Sequence, residues 1–158
     1  MRKKLLLVED NPAHEELTRL ALRKTGFDHE LIVLRDGIEL LEYLFRQERY
    51  VHLTRLDMPD LILLDLKLPR MNGLEVLAKL KTDGRTRYIP IIMLSSSTEH
   101  HDIMQSYKLG ANSYIHKRMN AEEFNTVLGD ILSYWFSFVK LPPRVYLDKS
   151  APMALQEL

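Results

Sequence analysis

Four candidate strand runs in this chain end in polar residues. Leu5-Leu6-Leu7-Val8 runs into Glu9-Asp10, and Leu61-Ile62-Leu63-Leu64 into Asp65. Ile91 to Leu94 runs into Ser95-Ser96-Ser97, and Ser113 to His116 into Lys117. If the first two of these runs are neighbours, Glu9, Asp10 and Asp65 share one small space. Two unit charges about 4 Å apart repel by roughly 4 kcal/mol at a surface-like dielectric. Protonation of one acid relieves that repulsion; so does a divalent cation. Clustered carboxylate and carbonyl oxygens suit magnesium, which also accepts phosphate oxygens. An aspartate beside such an ion can be a nucleophile that forms an aspartyl-phosphate. A lysine and a hydroxyl would then offset and hydrogen-bond the charge on the transferring group.

Taken singly, each residue has an ordinary role. Asp65 could be a turn cap, Glu9-Asp10 a solvated loop, Ser95 a strand-end hydroxyl and Lys117 a surface lysine. The joint arrangement at four run ends raises the chemical reading above these.

The elements that must position these residues follow a strand-then-helix rhythm, five times over. Strands are expected at Leu5 to Val8, Leu31 to Leu34, Leu61 to Leu64, Ile91 to Leu94 after Pro90, and Ser113 to His116. Short apolar runs without alternation are buried on both faces, which indicates a parallel sheet. Asn11-Pro12 opens the first helix, with Ala13, Leu17, Leu20 and Ala21 at helical spacing and Gly26 as its stop. Asp36 with Glu39, Ser96 with Glu99, and Asn120 with Glu123 are candidate capping pairs. Leu41, Leu44 and Phe45 form the second helix's apolar face, and Leu74, Leu77 and Leu80 mark the third. A last helix carries Phe124, Val127, Leu128, Ile131, Leu132 and Trp135. The expectation is a doubly wound α/β fold, with ligands at the carboxyl ends of its strands. Two segments break the rhythm: the polar stretch 48–59, and a tail at 140–158 with Pro142-Pro143.

Composition narrows the partners. The 158 residues suffice for one domain. Lys plus Arg number 22 and Asp plus Glu 22, so no charge excess favours nucleic acid or an anionic membrane. The chain has no cysteine, hence no disulfide or thiolate metal site. Met1-Arg2-Lys3-Lys4 precedes an apolar run of only four residues, too short for a signal peptide, and no run reaches membrane-spanning length. A soluble cytoplasmic protein is expected. His100, His101 and His116 lack a further ligand at metal spacing and read as surface histidines.

With those residues in place, the chain resembles the response-regulator receiver family over about residues 3–139. The matching stretches are Leu5-Leu6-Leu7-Val8-Glu9-Asp10-Asn11, then Leu61 through Asp65-Leu66-Lys67-Leu68-Pro69-Arg70-Met71-Asn72-Gly73, then Pro90 to Ser95, then Gly110 to Lys117. The resemblance implies a flavodoxin-like, five-stranded parallel sheet of order 2-1-3-4-5. It implies that Asp65 is phosphorylated and that Asp10 and Asp65 bind Mg2+, with Glu9 and the Lys67 backbone carbonyl assisting. It implies that Lys117 pairs with the phosphoryl group and that Ser95 and Tyr114 are switch residues. Such a protein assists its own phosphorylation and dephosphorylation and is not an enzyme acting on an external substrate.

The family usually has proline after this lysine; here Arg118 follows. A cis bond before a non-proline residue costs about 2.5–4 kcal/mol, so a trans bond or a strained loop is expected there.

A second resemblance is to the small response regulators of cyanobacterial and other bacterial phytochromes. It rests on Asp28 to Leu44, the long segment before strand three, and Ser133-Tyr134-Trp135-Phe136 with Leu141-Pro142-Pro143. It implies a phytochrome histidine kinase as partner and a homodimer built on the side of the last helix. The aromatic end of that helix, Tyr134, Trp135, Phe136 and Phe138, reads either as a terminus folded onto its own core or as the surface that joins two chains. The tail 140–158 joins that surface as a dimer or partner contact. The residues after position 139 are too few for a DNA-binding domain, so output is expected through protein contacts or onward phosphotransfer. The rival readings are a magnesium-dependent phosphatase with an aspartate nucleophile, which wants an Asp where Lys67 stands, and a flavin binder, which wants a glycine- and hydroxyl-rich loop where Glu9-Asp10 stands.

Overall fold

Every side chain of Leu61, Ile62, Leu63 and Leu64 is buried. A strand with no solvent face must be central and covered on both sides, and the computed structural model places it so. The structure describes residues 2–117 and 120–144. Strands β1 (Lys3–Val8), β2 (His29–Leu34), β3 (Leu61–Leu64), β4 (Ile91–Ser95) and β5 (Ser113–His116) form one sheet. All pairings are parallel, in the order β2-β1-β3-β4-β5. Helices α1 (Pro12–Lys24), α2 (Gly37–Leu44), α3 (Gly73–Thr82), α4 (His100–Lys108) and α5 (Ala121–Ser133) alternate with them. The doubly wound expectation and its strand order both hold.

Two cores follow from the pleat, which sends successive residues to opposite faces. Leu6, Val8, Ile62, Leu64, Ile91 and Met93 meet Leu40, Leu44, Val76, Leu77 and Leu80 of α2 and α3. Leu5, Leu7, Leu61, Leu63, Ile92 and Leu94 meet Ala21, Leu22, Phe124, Leu128 and Leu132 of α1 and α5. Helix α4 is held more lightly; of its residues only Ser106 is buried.

The caps mostly form as expected. Asn11 Oδ1 accepts from the N–H groups of Ala13 (2.9 Å) and His14 (3.2 Å). Asn120 Oδ1 accepts from Glu123 N–H at 2.8 Å. Asp36 Oδ1 accepts from Glu39 N–H at 2.8 Å, while the Glu39 carboxylate turns back to Arg35 N–H at 3.0 Å, one residue beyond the expected partner. The Ser96–Glu99 box does not form. Helix α4 begins only at His100, and Ser97 takes over the turn, accepting from Glu99 N–H (3.2 Å) and donating to Asp102 Oδ2 (2.6 Å).

The irregular stretches are organised. Residues 48–59 contain two short 3-10 turns, and Tyr50 and Tyr43 hydroxyls anchor them by donating to Glu39 Oε1 and Asp57 O, each at 2.8 Å. At the amino end of the sheet, Arg144 donates to Asp60 Oδ2 (2.5 Å) and Leu56 O (3.0 Å). The tail beyond Arg144 lies outside the described residues. Among the described residues, no helix is long and apolar enough to cross a membrane.

Candidate functional site

The register of β1 on β3 pairs Val8 with Leu64. The next residues along both strands are acids, so Glu9 and Asp65 leave the sheet side by side. Two backbone bonds continue the ladder, Asp65 N–H to Val8 O (3.1 Å) and Glu9 N–H to Leu34 O (3.0 Å). Carboxylate oxygens of Glu9, Asp10 and Asp65 all lie within 4.8 Å of one another. On the far side, β5 pairs His116 with Ser95, and Lys117 N–H donates to Ser95 O at 2.7 Å. That pairing brings Lys117 back over the acids. Its ammonium bonds to Glu9 and stands 3.2 Å from Asp65 Oδ2.

The environment is dry on one side. Glu9 is 1% exposed and Asp65 8%, whereas Asp10 is open to solvent. Burial pushes the Asp65 carboxyl up to about 6; the Lys117 charge opposes this and Glu9 adds to it. Three carboxylates face one ammonium, so the cluster has negative charge to spare. Oxygen donors of this kind fit a hard divalent cation.

The other expected residues sit around this cluster. Ser95 is buried, and its Oγ accepts from Ser97 N–H at 3.1 Å. Lys67 has an exposed side chain, and its N–H approaches Asp65 Oδ1 at 3.4 Å. Tyr114 packs against the α2–α3 core, with its hydroxyl donating to Ser97 O at 2.8 Å. The Tyr114 ring is therefore held inward, by the same turn that begins at Ser95. The bond between Lys117 and Arg118 lies outside the described residues.

The four aromatics at the end of α5 separate into two kinds. Trp135 and Phe136 pack against their own core on the α1–α5 side. Tyr134 and Phe138 are exposed, Phe138 at 77%. The interface expectation thus meets an available surface in two of its four residues.

Several site residues were not singled out from sequence. His14 Nδ1 lies 3.4 Å from Lys117 Nζ and 3.6 Å from Glu9 Oε1. Its position four residues after Asp10, one turn into a helix opening at the acids, was the available signal. Gly73 is another: a Cβ there would stand 2.2 Å from Asp65 O, so only glycine lets α3 start this close to the strand end. His100, His101 and His116 join no group able to hold a metal among the described residues.

Comparison with known proteins agrees with the geometry. The family model for the response regulator receiver domain matches residues 5–128. Response regulator Rcp1 of Synechocystis sp. is 39% identical over 140 residues, covering 89% of this chain and 93% of its own. The crystal structure of the phosphorylated cyanobacterial phytochrome response regulator RcpA superposes with a TM-score of 0.83 at 40% identity, covering 90% of this chain and all of that one. The Mn2+-bound form of Rcp1 superposes at 0.81 and 38% identity, over 89% of this chain and 99% of its own. From its acids at the ends of β1 and β3 to its lysine at the end of β5, the chain belongs to the response regulator receiver domain family.

Proposed function

We propose that this response regulator accepts a phosphoryl group on Asp65 from a sensor histidine kinase, with Mg2+ as cofactor. The observation that carries the reading is Lys117 Nζ, 3.2 Å from Asp65 Oδ2 in a cluster of three carboxylates. Asp65 Oδ attacks phosphorus; the O–P bond forms as the N–P bond of the kinase phosphohistidine breaks, and the leaving imidazole keeps the electron pair. Glu9, Asp10, Asp65 and the Lys67 carbonyl would hold the cation, which when bound offsets charge on the phosphoryl oxygens. Lys117 shifts from the acids to the phosphoryl group, and Ser95 Oγ donates to it.

Output follows from the new charge. Phosphorylation replaces a carboxylate of one negative charge with an acyl phosphate carrying close to two, and adds strong acceptors. Ser95 moving toward them disturbs the turn at Ser97, the acceptor of the Tyr114 hydroxyl. Repacking of Tyr114 then biases a protein-contact surface. The net charge of zero supports a protein partner over nucleic acid. The similarity to RcpA, a cyanobacterial phytochrome response regulator, supports a phytochrome as the kinase, and a cytoplasmic location belongs to the same proposal. A homodimer would use exposed Tyr134 and Phe138, with Trp135 and Phe136 bracing them from inside. No turnover of an external substrate is proposed.

Labelling with acetyl phosphate and Mg2+ tests the assignment. Wild type should take up one phosphoryl group with the base and hydroxylamine lability of an acyl phosphate, and Asp65→Asn none. Equal labelling of the variant would overturn it. Sedimentation of a chain with Tyr134 and Phe138 changed to serine tests the dimer, which should dissociate.

A further inference from the structure

The loop from Leu66 to Asn72 joins β3 to α3 and carries Lys67. Its internal bonds are few: Met71 N–H to Pro69 O at 2.7 Å, and Gly73 N–H to Leu66 O at 2.8 Å. Arg70 holds the left-handed region at φ 61°, a conformation a non-glycine residue keeps only when its surroundings impose it.

The imposing contact is Asp36. Arg70 Nε donates to Asp36 Oδ2 at 3.0 Å and Nη2 to Oδ1 at 2.8 Å, a two-pronged pair between segments distant in sequence. Asp36 is itself fixed, because the same carboxylate caps α2 through Glu39 N–H. The next residue of α2 touches the next residue of the loop: a Cβ at Gly37 would lie 2.1 Å from Met71 O. The first turn of α2 therefore holds the loop at two successive residues shortly after Lys67. Gly73 against Asp65 O fixes the loop's other end.

We propose that Arg70 is a positioning residue of the cation site, and that its grip on Asp36 fixes the loop that presents the Lys67 carbonyl to the metal. The inference rests on the metal-binding reading above. Arg70 is exposed over 54% of its side chain, and exposed pairs contribute little to stability. Its planar fork instead supplies geometry, since two parallel bonds set direction as well as distance. Magnesium is sensitive to such geometry, demanding near-octahedral ligands at about 2.0–2.1 Å. A loop free to rotate about Arg70 would lose a ligand placed to that tolerance.

Calorimetric titration of the metal-free full-length chain with MgCl2, without any phosphoryl donor, tests this. The variants are Arg70→Ala, Asp36→Asn, and the two combined. Asparagine caps a helix as well as aspartate does, so Asp36→Asn spares α2. Each single variant should raise the Mg2+ Kd about tenfold, as loss of outer-shell support does elsewhere, and the double variant no further. Melting temperatures of the metal-free proteins should stay within about 3 °C of wild type. Unchanged Kd values in both single variants overturn the inference alone. So does a weakened Kd accompanied by a melting loss of about 10 °C or more, which assigns the pair to folding. A wild-type chain that takes up no Mg2+ overturns the metal-binding reading, and this inference with it.

Discussion

Lys117 Nζ lies 3.2 Å from Asp65 Oδ2 while also bonding to Glu9, so one ammonium serves two carboxylates from two other strand ends. Removing it, as in Lys117→Met, leaves both acids facing each other in a dry site. The metal-free variant should lose on the order of 3 kcal/mol, the cost of stranding buried charge. Added Mg2+ should restore part of that loss. Urea unfolding with and without the ion measures both; a variant equal to wild type without metal refutes the shared role.

Asp65 gives a pH dependence of defined sign. Its carboxyl ionises near 3.8 in an unfolded chain and at about 6 in the fold. Between those values the folded state binds more protons, so metal-free stability falls as pH rises through that window. Asp65→Asn removes the penalty. At pH 7.5 without metal it should be more stable than wild type by about 1–3 kcal/mol, a gap that closes below pH 4. Added Mg2+ should narrow it by binding folded wild type. Urea midpoints across pH 4–8 provide the comparison.

Two glycine substitutions should differ in sign. Gly73→Ala drives a methyl group against backbone at Asp65 O and should cost about 1–3 kcal/mol. It should also weaken phosphoryl uptake at temperatures where the variant stays folded, because the atoms that must yield belong to the acceptor residue. Gly129 lies within α5 with nothing within 4 Å of its would-be Cβ. Gly129→Ala should stabilise by about 0.5–1 kcal/mol. Thermal melts of both decide.

The underside of the sheet makes a separate prediction. Asp60 Oδ2 accepts from Arg144 and from Lys4 N–H (2.8 Å), and both partners of the Arg144–Asp60 pair are largely buried. Arg144→Met should cost on the order of 3 kcal/mol by leaving Asp60 without its cation. Uptake of phosphoryl groups at low temperature should be unchanged, since the pair lies at the opposite end of the strands. A loss below about 0.5 kcal/mol would make the tail a passive attachment.

Much of the fold is local and was readable. β3 was bounded correctly because a run buried on both faces has no alternation and ends where the first acid appears. Asn11 and Asn120 announced their helices because a short side chain that accepts from backbone N–H does so over three residues. Ser96 misled because two serines compete at that turn; the hydroxyl that reaches Glu99 N–H belongs to Ser97. Nothing in residue order separates them.

The acids, the hydroxyl and the lysine at the strand ends were likewise legible, since each stands where an expected strand stops. What they do to one another was not. That Lys117 spans Glu9 and Asp65, that His14 stands beside it, and that Arg70 reaches Asp36 all depend on parallel register and on helix packing across the sheet. Residue type determined the chemistry this protein can attempt. Tertiary structure alone decided which charges meet, because Coulombic and hydrogen-bonded pairing depends on distances of a few ångströms that only the folded sheet creates.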